Sequence, residues 1–167
     1  MKTQIRTKVT AAVVCALLIS SAGIPLPAAA SSFEAHYTTA SLSAQEHRAG
    51  NLLNSDRLRY SLAPLIIDPE LSRIARIKSE DMRDNQYFAH TSPTYGDVRN
   101  MLRHFGYAFS SASENIARHA TIEKAQAAFL SSSGHRQNVL SSAYTKVGVG
   151  VAVDEKGFIY LTQIFAR

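Results

Sequence analysis

The chain has 167 residues, 18 Lys and Arg against 13 Asp and Glu, and a single cysteine. That length suits one domain, and one thiol excludes an internal disulfide framework or a cysteine-based zinc site. The net charge of +5 comes without a Lys/Arg cluster, which argues against a nucleic-acid partner.

Residues 1–30 read as a signal peptide. Lys2, Arg6 and Lys8 form a basic start, Val9 to Ile19 an apolar segment, and Ala28-Ala29-Ala30 a small-residue cleavage site. The apolar segment falls short of the roughly 20 residues that span a bilayer, so a retained anchor is the weaker alternative. Cys15 lies inside this segment rather than at its end, against lipid attachment. Cleavage would leave 137 residues with a net charge of +2 and no stable membrane span.

Residues 31–42 read as a short N-terminal tether. Ser43-Ala44-Gln45-Glu46 is a capping box, predicting a helix to about Tyr60 with Ala49, Leu52, Leu53 and Leu58 as its apolar stripe. Asp68-Pro69 starts a second helix, with Leu71, Ile74, Ala75, Lys78 and Met82 near one face, ending near Asp84 to Gln86. Asp97 to Phe105 predicts a third, stopped by Gly106. Thr121 opens a fourth, running to Ser131-Ser132-Ser133-Gly134.

The period then changes. Val147, Val149, Val151 and Val153 alternate with Gly148, Gly150 and Ala152, Asp154 to Gly157 makes a turn, and Phe158 to Ala166 is the partner strand. A third strand is expected around Ser113 to Arg118. Helices followed by a hairpin indicate an α+β domain.

Four segments carry the chemistry-bearing side chains. His90 follows the second helix on a loop, His135 follows the fourth with Gly134 allowing a turn, and Gln163 lies in the final strand. Glu114 sits among small and apolar residues, so it needs donors or a cation, for which Arg118 or Arg136 are candidates. Each histidine alone also reads as a helix-end residue bonded to backbone. Thr162 and Gln163 alternate, so only one of them shares a surface with Glu114. Ser92 beside His90 allows a Ser92–His135–Glu114 arrangement to be drawn, but no nucleophile elbow or oxyanion-hole signature accompanies it, and the serines equally suit caps and turns.

Phe88-Ala89-His90-Thr91-Ser92-Pro93, Glu114-Asn115-Ile116-Ala117, Gly134-His135-Arg136-Gln137-Asn138, Lys146-Val147-Gly148-Val149-Gly150-Val151 and Tyr160-Leu161-Thr162-Gln163-Ile164-Phe165, in that order, resemble the CAP domain (cysteine-rich secretory protein, antigen 5, pathogenesis-related protein) in its bacterial SCP-like extracellular branch. The resemblance covers 43–167. It implies an α-β-α sandwich, a three-stranded antiparallel sheet flanked by about four helices, with a cleft lined by two histidines and two acids. His90, Glu114 and His135 match three of these; Ser132 stands where the second acid would be, Ser113 replaces a glycine, and Phe129 a frequent tryptophan.

A tight structural zinc site has four protein ligands, so the resemblance implies at most weak binding of a divalent cation such as Zn²⁺ by His90, His135 and Glu114. The expected function is a monomeric, secreted binding module for a lipid, glycan or protein ligand. The alternatives are an extracellular protease or cell-wall hydrolase using His90, His135 and Glu114, and a structural protein of the cell wall or spore surface.

Overall fold

Helix α1 (Ala44–Arg59) opens with the expected capping box: the Ser43 hydroxyl accepts from Glu46 N–H, and Glu46 returns the contact to Ser43 N–H. This computed structural model describes residues 41–167; the expected signal peptide, and the tether but for its last two residues, lie outside the described residues. After α1 come β1 (Ile66–Ile67), α2 (Pro69–Asp84), α3 (Val98–His104), β2 (Ala112–His119), α4 (Ile122–Ser131), α5 (Ser133–Val139), β3 (Lys146–Val153) and β4 (Ile159–Ala166). Asp68, Asp97 and Thr121 each cap a helix by accepting a backbone N–H three residues on. Gly106, at φ 69°, ends α3 in the left-handed region that glycine occupies freely.

The sheet order is β1-β3-β4-β2, with β3-β4-β2 antiparallel. The expected three-strand sheet thus gains a fourth member, β1, which pairs parallel to β3 over only two residues, Ile66 with Lys146 and Ile67 with Val147. So short a pairing leaves no alternation to read.

Residues paired across neighbouring strands share a face. Ile164, opposite both Glu114 and Gly148, packs with Leu71, Ile74, Met101 and Leu102 of α2 and α3. Leu161 and Phe165, on the other face, pack with Ala49 and Leu53 of α1 and Phe129 of α4. Two helical layers therefore sandwich the sheet. The α2 layer sits very close: a Cβ on Gly148 or Gly150 would overlap the backbone of Leu71, or of Ala75 and Arg76.

Two helix expectations are corrected. Leu58 is 60% exposed, because polar side chains complete the buried stripe of α1. Arg57 donates to the carbonyls of Ala63, Val139 and Ser141, and Asp56 accepts from Gln126. The fourth helix also stops at Ser131: Ser132 is extended (φ −92°, ψ 125°), and a fifth helix restarts at Ser133. His135 thus lies in the first turn of α5, not on a loop, and its companion Gly134 is helical.

Candidate functional site

The loop leaving α2 is held from below by two buried charges on that helix. Lys78 Nζ donates to Ala89 O at 2.8 Å and to Tyr87 Oη at 3.1 Å. Asp81 accepts from the hydroxyls of Tyr87, Ser92 and Thr94 and from the Asn85 amide. Burial pushes the Lys78 ammonium below its ordinary value, against the opposing charges of Glu114 and Asp81. Burial also acts to raise Asp81, but the hydrogen bonds from Tyr87, Ser92 and Asn85 outweigh it and hold the carboxyl low. A loop anchored at Tyr87, Ala89 and Ser92 presents His90 in a fixed place.

His90 Nδ1 lies 2.8 Å from Glu114 Oε1. A carboxylate only accepts, so Nδ1 carries the hydrogen and Nε2 faces away. The bond to Glu114 raises the His90 pKa, partly opposed by burial and by the Lys78 charge. Glu114 is 8% exposed, and its second oxygen, Oε2, is buried with no hydrogen-bond partner. Neither expected arginine supplies one: Arg118 pairs with Asp154 at 2.6 Å, and the Arg136 guanidinium lies 4.7 Å over the Tyr60 ring.

His135 comes from the opposite helical layer, yet its ring centroid is 6.5 Å from that of His90. The two layers meet around β2, an edge strand of the sheet. Phe129 packs edge-on against the His135 ring, centroids 5.2 Å apart. Burial lowers the His135 pKa, and the His90 charge lowers it further. The two imidazoles are thereby pushed apart in pKa, His90 towards the protonated form and His135 towards the neutral one.

An amide relay on the far face of the sheet ties α5 to β2. Asn115 Nδ2 donates to His135 O at 3.1 Å and to Gln163 Oε1 at 3.3 Å; Asn138 Nδ2 donates to Asn115 Oδ1 at 2.9 Å. Gln163 continues the chain to Gln126 at 2.8 Å, and Gln126 to Asp56 at 2.8 Å. Gln163 therefore does not line the cleft with Glu114. It is fully buried on the other face, in register with Asn115, and the residue sharing the Glu114 face is Thr162, held by Ser79. Sequence reasoning missed Lys78, Asp81, Asn115, Gln126 and Asn138 as supports; the only trace was Lys78 on an apolar helix face.

Ser92 sits beside His90 in the chain, but its hydroxyl donates to Asp81 at 2.7 Å and accepts the N–H groups of Thr94 and Tyr95. It is a turn-forming group. Ser132 is the extended residue between α4 and α5, and its side chain makes no capping bond. The three remaining candidates do not close into a metal cage. Among the described residues no group of three His, Cys, Asp or Glu is spaced to hold an ion. Zn–N bonds of about 2 Å would draw two rings on one tetrahedral ion closer than the observed 6.5 Å.

Among the described residues, no helix is long and apolar enough to cross a membrane. The chain is 42% identical over 128 residues to the uncharacterized protein YkwD of Bacillus subtilis (strain 168), covering 76% of this chain and 49% of that one. It is 39% identical over 118 residues to the uncharacterized membrane protein YlbC of the same organism, covering 70% of this chain and 33% of that one. The chain thus spans half or less of the length of these relatives. An extracellular protein containing a SCP domain from Bacillus anthracis superposes with a TM-score of 0.69 at 36% identity, over 74% of this chain and 40% of that one. Residues 51–165 match the CAP, or cysteine-rich secretory protein, family. Fold and sequence agree: the chain belongs to the CAP family.

Proposed function

We propose that this chain is an extracellular binding domain whose cleft, formed by His90, Glu114 and His135, takes a polar ligand by hydrogen bonding. The observation that carries this reading is the His90 ring, more than half exposed yet held at 2.8 Å by the buried Glu114 carboxylate, with the His135 ring 6.5 Å away. A ring already held in place meets a ligand without a further ordering cost. The ring nitrogens of His90 and His135 that Glu114 does not engage can each donate or accept, according to protonation. Secretion is supported by the leader-like residues 1–30 and by the extracellular character of the Bacillus anthracis relative.

A divalent cation such as Zn²⁺ binds this set weakly, because His90 Nδ1 is engaged by Glu114 and the rings stand wide apart. Calorimetric titration of residues 31–167 with Zn²⁺ tests this, with His90→Ala and His135→Ala as controls. Expected is weak binding that both substitutions abolish. Equal affinity in all three proteins refutes a cation role for the pair.

One observation favours a second reading, hydrolysis. The His90–Glu114 dyad orients an imidazole as a general base would be oriented, with Nε2 left to act on water. Ser92 is committed to Asp81, so the nucleophile would have to be water. Incubation with casein and with peptidoglycan decides between the readings. The binding reading predicts no turnover; turnover lost in His90→Ala overturns it.

A further inference from the structure

Beyond the His90 cleft, an open groove of about 840 Å³ runs between the end of α2 and the β3–β4 hairpin. Phe88 lies in it 50% exposed, and its ring meets the edge of the mostly buried Tyr160 ring at a centroid distance of 6.5 Å. That contact fixes an aromatic ring in solvent, where a single exposed phenylalanine otherwise gains nothing from order. Val153, 40% exposed, lies in the same groove. Exposed apolar groups gathered in a concavity mark a contact surface rather than scatter.

The charges there are balanced. Arg83 pairs with Asp84 and Arg118 with Asp154, each at 2.6 Å, and Lys156 stands beside Glu155. No net field selects an anion or a cation. Most of the wall is polar, which disfavours an acyl chain. A second observation concerns Gln86, exposed at the groove wall with φ 53° at the position after the α2 C-cap. Glycine takes that conformation without strain and is the usual residue there. A glutamine at such a site adds an amide, one donor pair and one acceptor, to the groove lining at a backbone cost.

We propose that this groove binds a neutral glycan chain. The apolar C–H face of a sugar ring lies on Phe88, and the hydroxyls exchange hydrogen bonds with Gln86 and with the planar Arg83–Asp84 and Arg118–Asp154 pairs.

Titration of residues 31–167 with chitohexaose and with cellohexaose, followed by calorimetry and by NMR shifts, tests this. Expected is binding of at least one oligosaccharide, with shifts at Phe88, Gln86 and Lys156. Phe88→Ala weakens it tenfold or more while leaving the His135 titration unchanged. Gln86→Gly weakens it about threefold and raises the thermal midpoint, since it relieves the strained backbone. A purely structural Gln86 gives the higher midpoint with undiminished binding, which overturns its role. Absence of binding at millimolar sugar, equal binding by Phe88→Ala, or binding only of heparin or of peptides overturns the proposal.

Discussion

Asn138 of α5 donates its side-chain N–H to the Asn115 side chain of β2 at 2.9 Å, while Asn115 donates to the backbone carbonyl of His135. This pair, not the cleft residues themselves, sets where the His135 ring stands. Asn115 is fully buried. Replacing it by alanine leaves Gln163 Oε1 and the Asn138 amide without their partner, at a cost of about 1–3 kcal/mol. Urea unfolding should show that loss. Asn138→Ala, at a half-buried position, should cost less.

Glu114→Gln removes the charge that raises His90, so the His90 pKa should fall. The sign of the stability effect follows. A histidine whose folded pKa is raised adds stability that is complete below the ordinary 6.5 and disappears as pH rises through the folded value. His135, shifted down, acts oppositely and costs stability as pH falls below 6.5. Unfolding free energies of the wild type and Glu114→Gln between pH 5 and 8, a window taken from the ordinary histidine range, should differ most at the acid end.

Acid sensitivity has a separate source in Glu46. Its carboxylate is fully buried, closes the α1 capping box, accepts Arg76 at 2.5 and 2.7 Å and accepts Val151 N–H at 3.3 Å. Burial acts to raise its pKa, but Arg76 and Ser43 outweigh it, so the net shift is down. Its contribution is present above the ordinary 4.5 and is lost as pH falls through the folded value. Glu46→Ala removes the capping-box acceptor and leaves the partly exposed Arg76 with the Ser41 carbonyl, and should cost about 1–3 kcal/mol in urea unfolding at neutral pH.

Gly150→Ala tests how tightly α2 lies on the sheet. A methyl there overlaps the Ala75 and Arg76 backbone, which cannot swing aside as a side chain can. Overpacking costs about 1–3 kcal/mol where side chains yield, and backbone overlap should reach or exceed the top of that range. Gly157→Ala removes a positive-φ glycine in an open turn, with nothing within 4 Å of the added methyl, and should cost less. Chemical denaturation of both variants makes the comparison.

The parts of this fold written in local chemistry were legible from the residues. Ser43 with Glu46, Asp68 with Pro69, and Thr121 announce helices by capping that needs no distant partner. The Val147–Val153 alternation announces a strand in the same way. What escaped was set by distant contacts. Leu58 is turned outward because Arg57 reaches carbonyls more than eighty residues away, at Val139 and Ser141. Which of Thr162 and Gln163 faces Glu114 depends on the β2–β4 register, and nothing in either strand alone states it. The break at Ser132 turns on one extended residue within a serine run. The site was legible as a set of residue types, but its supports, Lys78, Asp81 and the amide relay, were not. Their roles exist only where α2, β2 and α5 meet.

The central claim is that two imidazoles from opposite helical layers stand together beside Glu114. NMR titration of the histidines in the wild type and in His90→Gln, which keeps bulk without charge, tests it most directly. The account predicts His135 titrating below 6.5 in the wild type and moving upward in His90→Gln, because a neighbouring positive charge is gone. A His135 pKa identical in the two proteins would contradict it.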